Sequence, residues 1–190
     1  MDRTRTRIIF LLFFFTGISS LVYQVVWVRM FGLVFGNTLY ASSAVLAAFM
    51  AGLALGSFLS GRLMEKRKDG LRVYAGLELC IGICGVLMAS AVALASRTDI
   101  FIYRHFGPSY GFLTALRFVY SFLLLVIPCT LMGATLPALG TFMMGATDRS
   151  LLGKLYGVNT LGAFAGCFAS GFYLLGTIGV THTTFLAAAL

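Results

Sequence analysis

Across 190 residues the chain is 59% hydrophobic and 11% charged, well below the quarter or so of charged residues in an ordinary soluble domain. That excludes a soluble globular domain and implies an integral membrane protein lying in the lipid bilayer. The net charge of +8 does not imply a nucleic-acid partner, because most basic residues sit in short segments between apolar runs, where they set topology.

Arg3, Arg5 and Arg7 precede an apolar run over residues 8–28 that begins IIFLLFFFTG. The run is too long for the core of a secretory signal and no A-x-A-like site follows it, so it reads as a retained first span with the N-terminus inside. Tyr23, Trp27 and Arg29 near its far end are residues that settle at an outer interface, and Gln24 is polar enough to hydrogen-bond a neighbouring helix. A second span is predicted over 38–61. It is uncharged from Thr38 to Leu59, and Gly52 and Gly56 form a GxxxG pair with Ala48, Ser57 and Ser60 close by. Small residues at that spacing predict a helix packed among others.

Arg62, Lys66, Arg67, Lys68 and Arg72 then form a dense basic loop, the strongest orientation signal in the chain, which places this loop in the cytoplasm. The third span, 73–95, runs outward and contains Glu78 about two turns from its inner end. A carboxylate there is expected as the ion-pair partner of Arg62, Arg72 or another inner cation, or else as a proton or cation site or a side chain that snorkels to the interface. Residues 96–110, with Arg97, Asp99, Arg104, His105 and Pro108, read as an external loop. The fourth span, 111–131, carries Arg117 near its outer end, too far from Glu78 for a direct pair. Pro128 and Pro137 in IPCTLMGATLP each remove a backbone donor, and a kinked or broken inner end is expected.

Residues 145–154, with Asp148, Arg149 and Lys154, form the next inner loop. The fifth span, 155–175, carries Gly157, Gly162, Gly166 and Gly171 as another close-packing face, and an incomplete sixth runs over 178–190. The basic residues assigned to the inside outnumber those left outside, Arg29, Arg97, Arg104 and Arg117. Arg29 and Arg117 read as headgroup anchors or as ligands for an anionic group. Asn37 and Asn159 either line a polar pathway or cap and cross-link helices. Cys80, Cys84, Cys129 and Cys167 form no CxxC pair, and His105 and His182 stand apart from other ligands, so no metal site is read here. No catalytic constellation and no cofactor-binding motif is recognisable.

Asn37-Thr38-Leu39 opens the second span and Asn159-Thr160-Leu161 lies near the start of the fifth, each followed by a Gly/Ala/Ser-rich helix. The two spans start on opposite sides, so these copies are inverted, as in the three-plus-three repeat of a six-helix major-facilitator half. The stretches GISSLVYQVVWVRMFGLVFGNTLYASSAVLAAFMAGLALGSFLSGR, YAGLELCIG, LMGATLPALG and LYGVNTLGAFAGCFASGFYLL follow one another in order. Together they resemble the membrane domain of bacterial fused major-facilitator/spermidine-synthase-like proteins. The GRLMEKRK segment also loosely resembles the basic loop between the second and third helices of major facilitators, without its usual Asp.

The resemblance implies a multi-pass protein of the bacterial inner membrane, joined in that family to a cytosolic aminopropyltransferase-like domain. No glycine-rich strand–turn–helix segment and no acidic polyamine-binding loop is visible, so no catalytic residue is carried over.

The expected fold is therefore an all-α, polytopic transmembrane helical bundle of about six spans, resembling half of a major facilitator, with no soluble domain. The expected function is a membrane scaffold or accessory subunit that packs against other membrane proteins or itself through small-residue faces. One of the pairs Gly52/Gly56 and Gly162/Gly166 is expected to serve contacts within the chain and the other a partner. Two alternatives are the anchoring or transport-like part of a polyamine aminopropyltransferase-like protein without its catalytic domain, and a half-transporter working as a dimer.

Overall fold

Long apolar runs can satisfy their own backbone polar groups without water only by closing hydrogen bonds within the segment, which a helix does. The computed structural model describes residues 3–35, 39–64, 69–107, 109–143 and 150–190, and every element among them is helical. The order is α1 (Arg3–Phe35), α2 (Leu39–Met64), α3 (Gly70–Phe106), α4 (Tyr110–Met143) and α5 (Ser150–Ala169). A π-helical turn (Ser170–Leu174) and a short α-helical stretch (Leu175–Thr177) prolong α5, and α6 (Gly179–Ala189) follows. The chain turns into α6 at Gly179, whose φ of 75° lies in the region that glycine enters without steric cost. Among the described residues, five segments are long and apolar enough to cross a membrane: Thr4–Leu33, Ser42–Met64, Gly70–Phe106, Gly111–Met143 and Ser150–Thr177.

Two expected interruptions are absent. The segment read as an external loop is helical as far as Phe106, where Gly107 in the left-handed conformation donates its N–H to the Tyr103 carbonyl at 3.2 Å. Charge had stood for loop there, but Asp99 is buried against α4 while Arg97 and Arg104 project outward, so a helix carries all three. Nor is α4 broken by its prolines, since it runs without interruption through Pro128 and Pro137. Pro137 has no N–H for the Gly133 carbonyl one turn back. Ser57 of α2 supplies the donor instead, its Oγ lying 2.9 Å from that oxygen, and Ser60 Oγ donates to the Ala134 carbonyl at 3.0 Å.

The tightest packing is between α2 and α4 and between α1 and α5. In both pairs glycine lets backbone touch backbone. A methyl group on Gly56 would overlap the Thr130 carbonyl and crowd the Ala134 amide; one on Gly162 would overlap the Phe14 carbonyl and crowd the Ile18 amide. A methyl on Gly133 would strike the Leu53 carbonyl, and one on Gly17 the Asn159 carbonyl. Ser60 meets the Ala134 carbonyl where Gly166 meets that of Ile18. One register accounts for all of these contacts. Leu53, Gly56 and Ser60 of α2 match Asn159, Gly162 and Gly166 of α5, while Thr130, Gly133 and Ala134 of α4 match Phe14, Gly17 and Ile18 of α1.

The same register places Leu21 opposite Pro137 and Ala163 opposite Ser57. A serine donor is thus found in the seam where proline has removed the backbone donor, and is replaced by alanine where it has not. The Asn-Thr-Leu echo does not follow this register. Packing matches Asn159 with Leu53, whereas Asn37 lies outside the described residues.

The two glycine pairs also share one fate. Gly52 and Gly56 face α4, Gly162 and Gly166 face α1, and both seams are internal, which corrects the assignment of one pair to a partner. The remaining helices fill in around the seams. α3 lies antiparallel along α4, from Gly70 against Ala138 and Phe142 at one end to Asp99 against Arg117 at the other. α6 packs against both α1 and α3.

If Ser57 substitutes for the missing proline N–H, Ser57→Ala is expected to lower stability by about 1 kcal/mol. Ser57→Ala/Pro137→Ala is expected to recover it, because alanine restores the N–H to the Gly133 carbonyl. Thermal unfolding in detergent reads both; equal losses in the single and double variants would refute the substitution.

Candidate functional site

The heptad-like spacing of α3 builds the polar site. Tyr74, Ile81, Gly85, Met88, Val92, Ala95 and Asp99 recur every three or four residues as its buried face, and Glu78 falls in the same series, half-buried. α1 meets this face with Thr16 and Tyr23, two turns apart. Thr16 Oγ1 donates to Glu78 Oε1 at 2.8 Å and lies 2.6 Å from the Tyr74 hydroxyl, which is itself hydrogen-bonded to Glu78. The three side chains form a closed cluster about 12 Å along α3 from its first residue. A carboxylate in an apolar surround is costly, and hydroxyl donors reduce that cost.

These partners differ from the cations expected for Glu78. Arg62 lies over the Phe58 ring of its own helix, 4.2 Å from the centroid, and Arg72 is exposed. Lys66, Arg67 and Lys68 of the basic loop lie outside the described residues. Among the described residues, Glu78 is held by hydroxyls.

Tyr23 and Trp27 depart from expectation more sharply. They are 1% and 0% exposed, stacked at 5.3 Å with 19° between the rings, and face inward to Val45, Phe49, Ile81 and Met88 rather than an outer interface. Gly85 makes room for the Tyr23 phenol, because a methyl there would occupy the ring. Two and three turns beyond Thr16, the Tyr23 hydroxyl and the Trp27 Nε1 have no hydrogen-bond partner among the described residues. Above the Glu78 cluster, then, lie two buried donors on the same helix.

Arg117 is paired within the chain. Its Nε and Nη2 donate to the two carboxylate oxygens of Asp99 at 3.2 and 2.9 Å, a bidentate pair across the α3–α4 hairpin. Such geometry is the strongest form of the ion pair. Arg117 and Glu78 are therefore two separate sites, near opposite ends of α3, about 30 Å apart by helix rise. Arg29 is exposed.

Asn159 sits within α5, its carbonyl against Gly17 and its Oδ1 buried without a partner among the described residues, so it neither caps a helix nor cross-links two. Gln24 is half-buried on α1. His105 and His182 each turn Nδ1 back to a carbonyl one turn earlier on their own helix, both at 3.0 Å. Cys129 is buried under Gly52, while Cys80 and Cys167 are exposed. No group of three or more His, Cys, Asp or Glu with metal-binding geometry occurs among the described residues.

Sequence reasoning missed Thr16, Tyr74 and Asp99. The signal for the last two was present, since both lie on the seam that Glu78 shares. Thr16, deep in a run of Phe and Leu, had no such signal. Comparison with known proteins finds no matching family model, no matching curated protein and no matching solved structure.

Removing one partner of the Asp99–Arg117 pair strands a buried charge. Arg117→Leu is expected to cost about 3 kcal/mol, and Asp99→Leu/Arg117→Leu to recover most of it. Chemical unfolding in mixed micelles measures both. A double variant no more stable than Arg117→Leu alone would contradict the assignment.

Proposed function

We propose that this chain is a membrane-embedded six-helix unit of the major-facilitator type, related to the membrane domain of fused major-facilitator/spermidine-synthase-like proteins. It acts as a scaffold or accessory subunit, packing against other membrane proteins or a second copy of itself in the bacterial inner membrane, with its N-terminus cytoplasmic. The observation that carries this reading is the shared register of the α2–α4 and α1–α5 seams. Helices one and five joined as helices four and two are joined is the relation of an inverted three-plus-three repeat. A unit of that kind is half of a larger assembly in the facilitator architecture.

Because both glycine pairs are spent internally, association falls to outward faces. α5 and its extension are the most outward of the five long segments, with only 17% of the apolar window buried. Phe164, Phe168 and Phe172 are exposed there in one row, with neighbouring ring centroids 6.3 and 4.9 Å apart. A row of aromatic rings offers a partner helix large contact area at low entropy cost.

The Glu78–Thr16–Tyr74 cluster favours a second reading, a half-transporter in which Glu78 binds a proton or cation. Native electrophoresis after mild extraction is expected to show an assembly larger than one chain, and Phe168→Ala/Phe172→Ala to release a folded monomer. A wild-type chain that cross-links to nothing in its own membranes would sink the scaffold reading. Folded Glu78→Gln in proteoliposomes decides the alternative: loss of a proton flux present in wild type supports the half-transporter, and no flux in either removes it.

A further inference from the structure

Where α1 and α5 begin, a groove of about 450 Å³ runs between them, lined by Thr6, Arg7, Phe10, Leu11 and Phe14 of α1 and Val158 of α5. Its lining changes character along its length: Thr6 and Arg7 at one end, then only apolar side chains over the next two turns. The α1–α5 seam fixes which residue of α5 lies level with Arg7. Phe14 lies under Gly162 and Ile18 under Gly166, so the two helices run in step. Two turns before Gly162, Lys154 therefore lies level with Thr6 and Arg7, and it shares a helix face with Val158 one turn on. Both Arg7 and Lys154 are exposed, and neither makes an ion pair among the described residues.

We propose that this groove is a binding site for one anionic phospholipid. Arg7 and Lys154 take the phosphate, the first as a planar fork and the second as a point charge, while an acyl chain lies along Phe10, Leu11, Phe14 and Val158. The depth fits. The segment long enough to span begins at Thr4, which puts the cations at headgroup level and the apolar lining within the hydrocarbon. The charge fits as well. A zwitterionic headgroup brings its own cation against two others, whereas an anionic one brings none. This site rests on the membrane location proposed above.

The experiment equilibrates the detergent-solubilised chain with equal amounts of phosphatidylglycerol and phosphatidylcholine bearing identical acyl chains, and reads the retained lipid by native mass spectrometry. Phosphatidylglycerol is expected to be retained preferentially. Arg7→Gln and Lys154→Gln are each expected to reduce the preference about fivefold, and the double variant to abolish it. Leu11→Trp, at an exposed position that fills the groove, is expected to lose the lipid with both cations intact. Arg97→Gln/Arg104→Gln, at the far end of α3, is expected to keep the preference and serves as the control for general charge. Equal retention of the two lipids, a preference that survives Arg7→Gln/Lys154→Gln, or displacement by millimolar inorganic phosphate would each overturn the site. Failure of the wild-type chain to enter nanodiscs at all would instead overturn the membrane location, and the site with it.

Discussion

Inside an apolar slab the hydrophobic effect does not distinguish one helix face from another, so helices hold together where their backbones can approach closely. Here that approach occurs along two seams. Gly56 and Gly133 bring α2 onto α4; Gly17, Gly162 and Gly166 bring α1 onto α5. In each case the missing side chain lets a carbonyl of the neighbouring helix occupy its place. Everything else is arranged on those two pairs: α3 follows α4 along its length, α6 packs against α1 and α3, and the Tyr23–Trp27 stack closes the centre. The register common to both seams extends to a side-chain substitution, with Ser57 present opposite a proline and its counterpart Ala163 opposite a leucine.

On this frame α3 carries two inward carboxylates, and the chain partners them in different ways. Asp99 lies near one end of the α3–α4 hairpin and is met by a bidentate arginine. Glu78, nearer the other end, is met by the Thr16 hydroxyl and by Tyr74 from its own helix. An arginine fork engages both oxygens of a carboxylate at once. A hydroxyl donates a single hydrogen bond, as Thr16 does to Glu78 Oε1. The difference distinguishes two ways of seating a carboxylate on one helix, an ion pair at Asp99 and hydroxyl donors at Glu78.

The existence of the helices and the small-residue faces of α2 and α5 could be read from the sequence, because uncharged runs and four-residue glycine spacing are local signals. The ends and partners could not. Arg97, Asp99 and Arg104 look like a loop until Arg117, on another helix, is seen to cover the one acid that points inward. Pro137 looks like a break until Ser57 supplies the missing donor from α2. Glu78 looks like the partner of nearby arginines because sequence distance favours them, whereas Thr16 lies far away in the chain. The Asn-Thr-Leu echo falls in another register than the seams, whose common feature is a pattern of backbone contacts that Gly and Ser can both provide.

The central claim, that backbone contact at particular glycines holds the bundle together, is tested most directly by a glycine-to-alanine scan read as the thermal stability of the folded protein. Gly17, Gly56, Gly133, Gly162 and Gly166 leave no room for a methyl group, whereas Gly61, Gly76, Gly111, Gly153, Gly157 and Gly171 face open space. The account expects the first group to lose stability, by about 1–3 kcal/mol each as overpacking does, and the second group to hold or gain it. Stabilities that overlap between the two groups, or a loss confined to one seam, would contradict it.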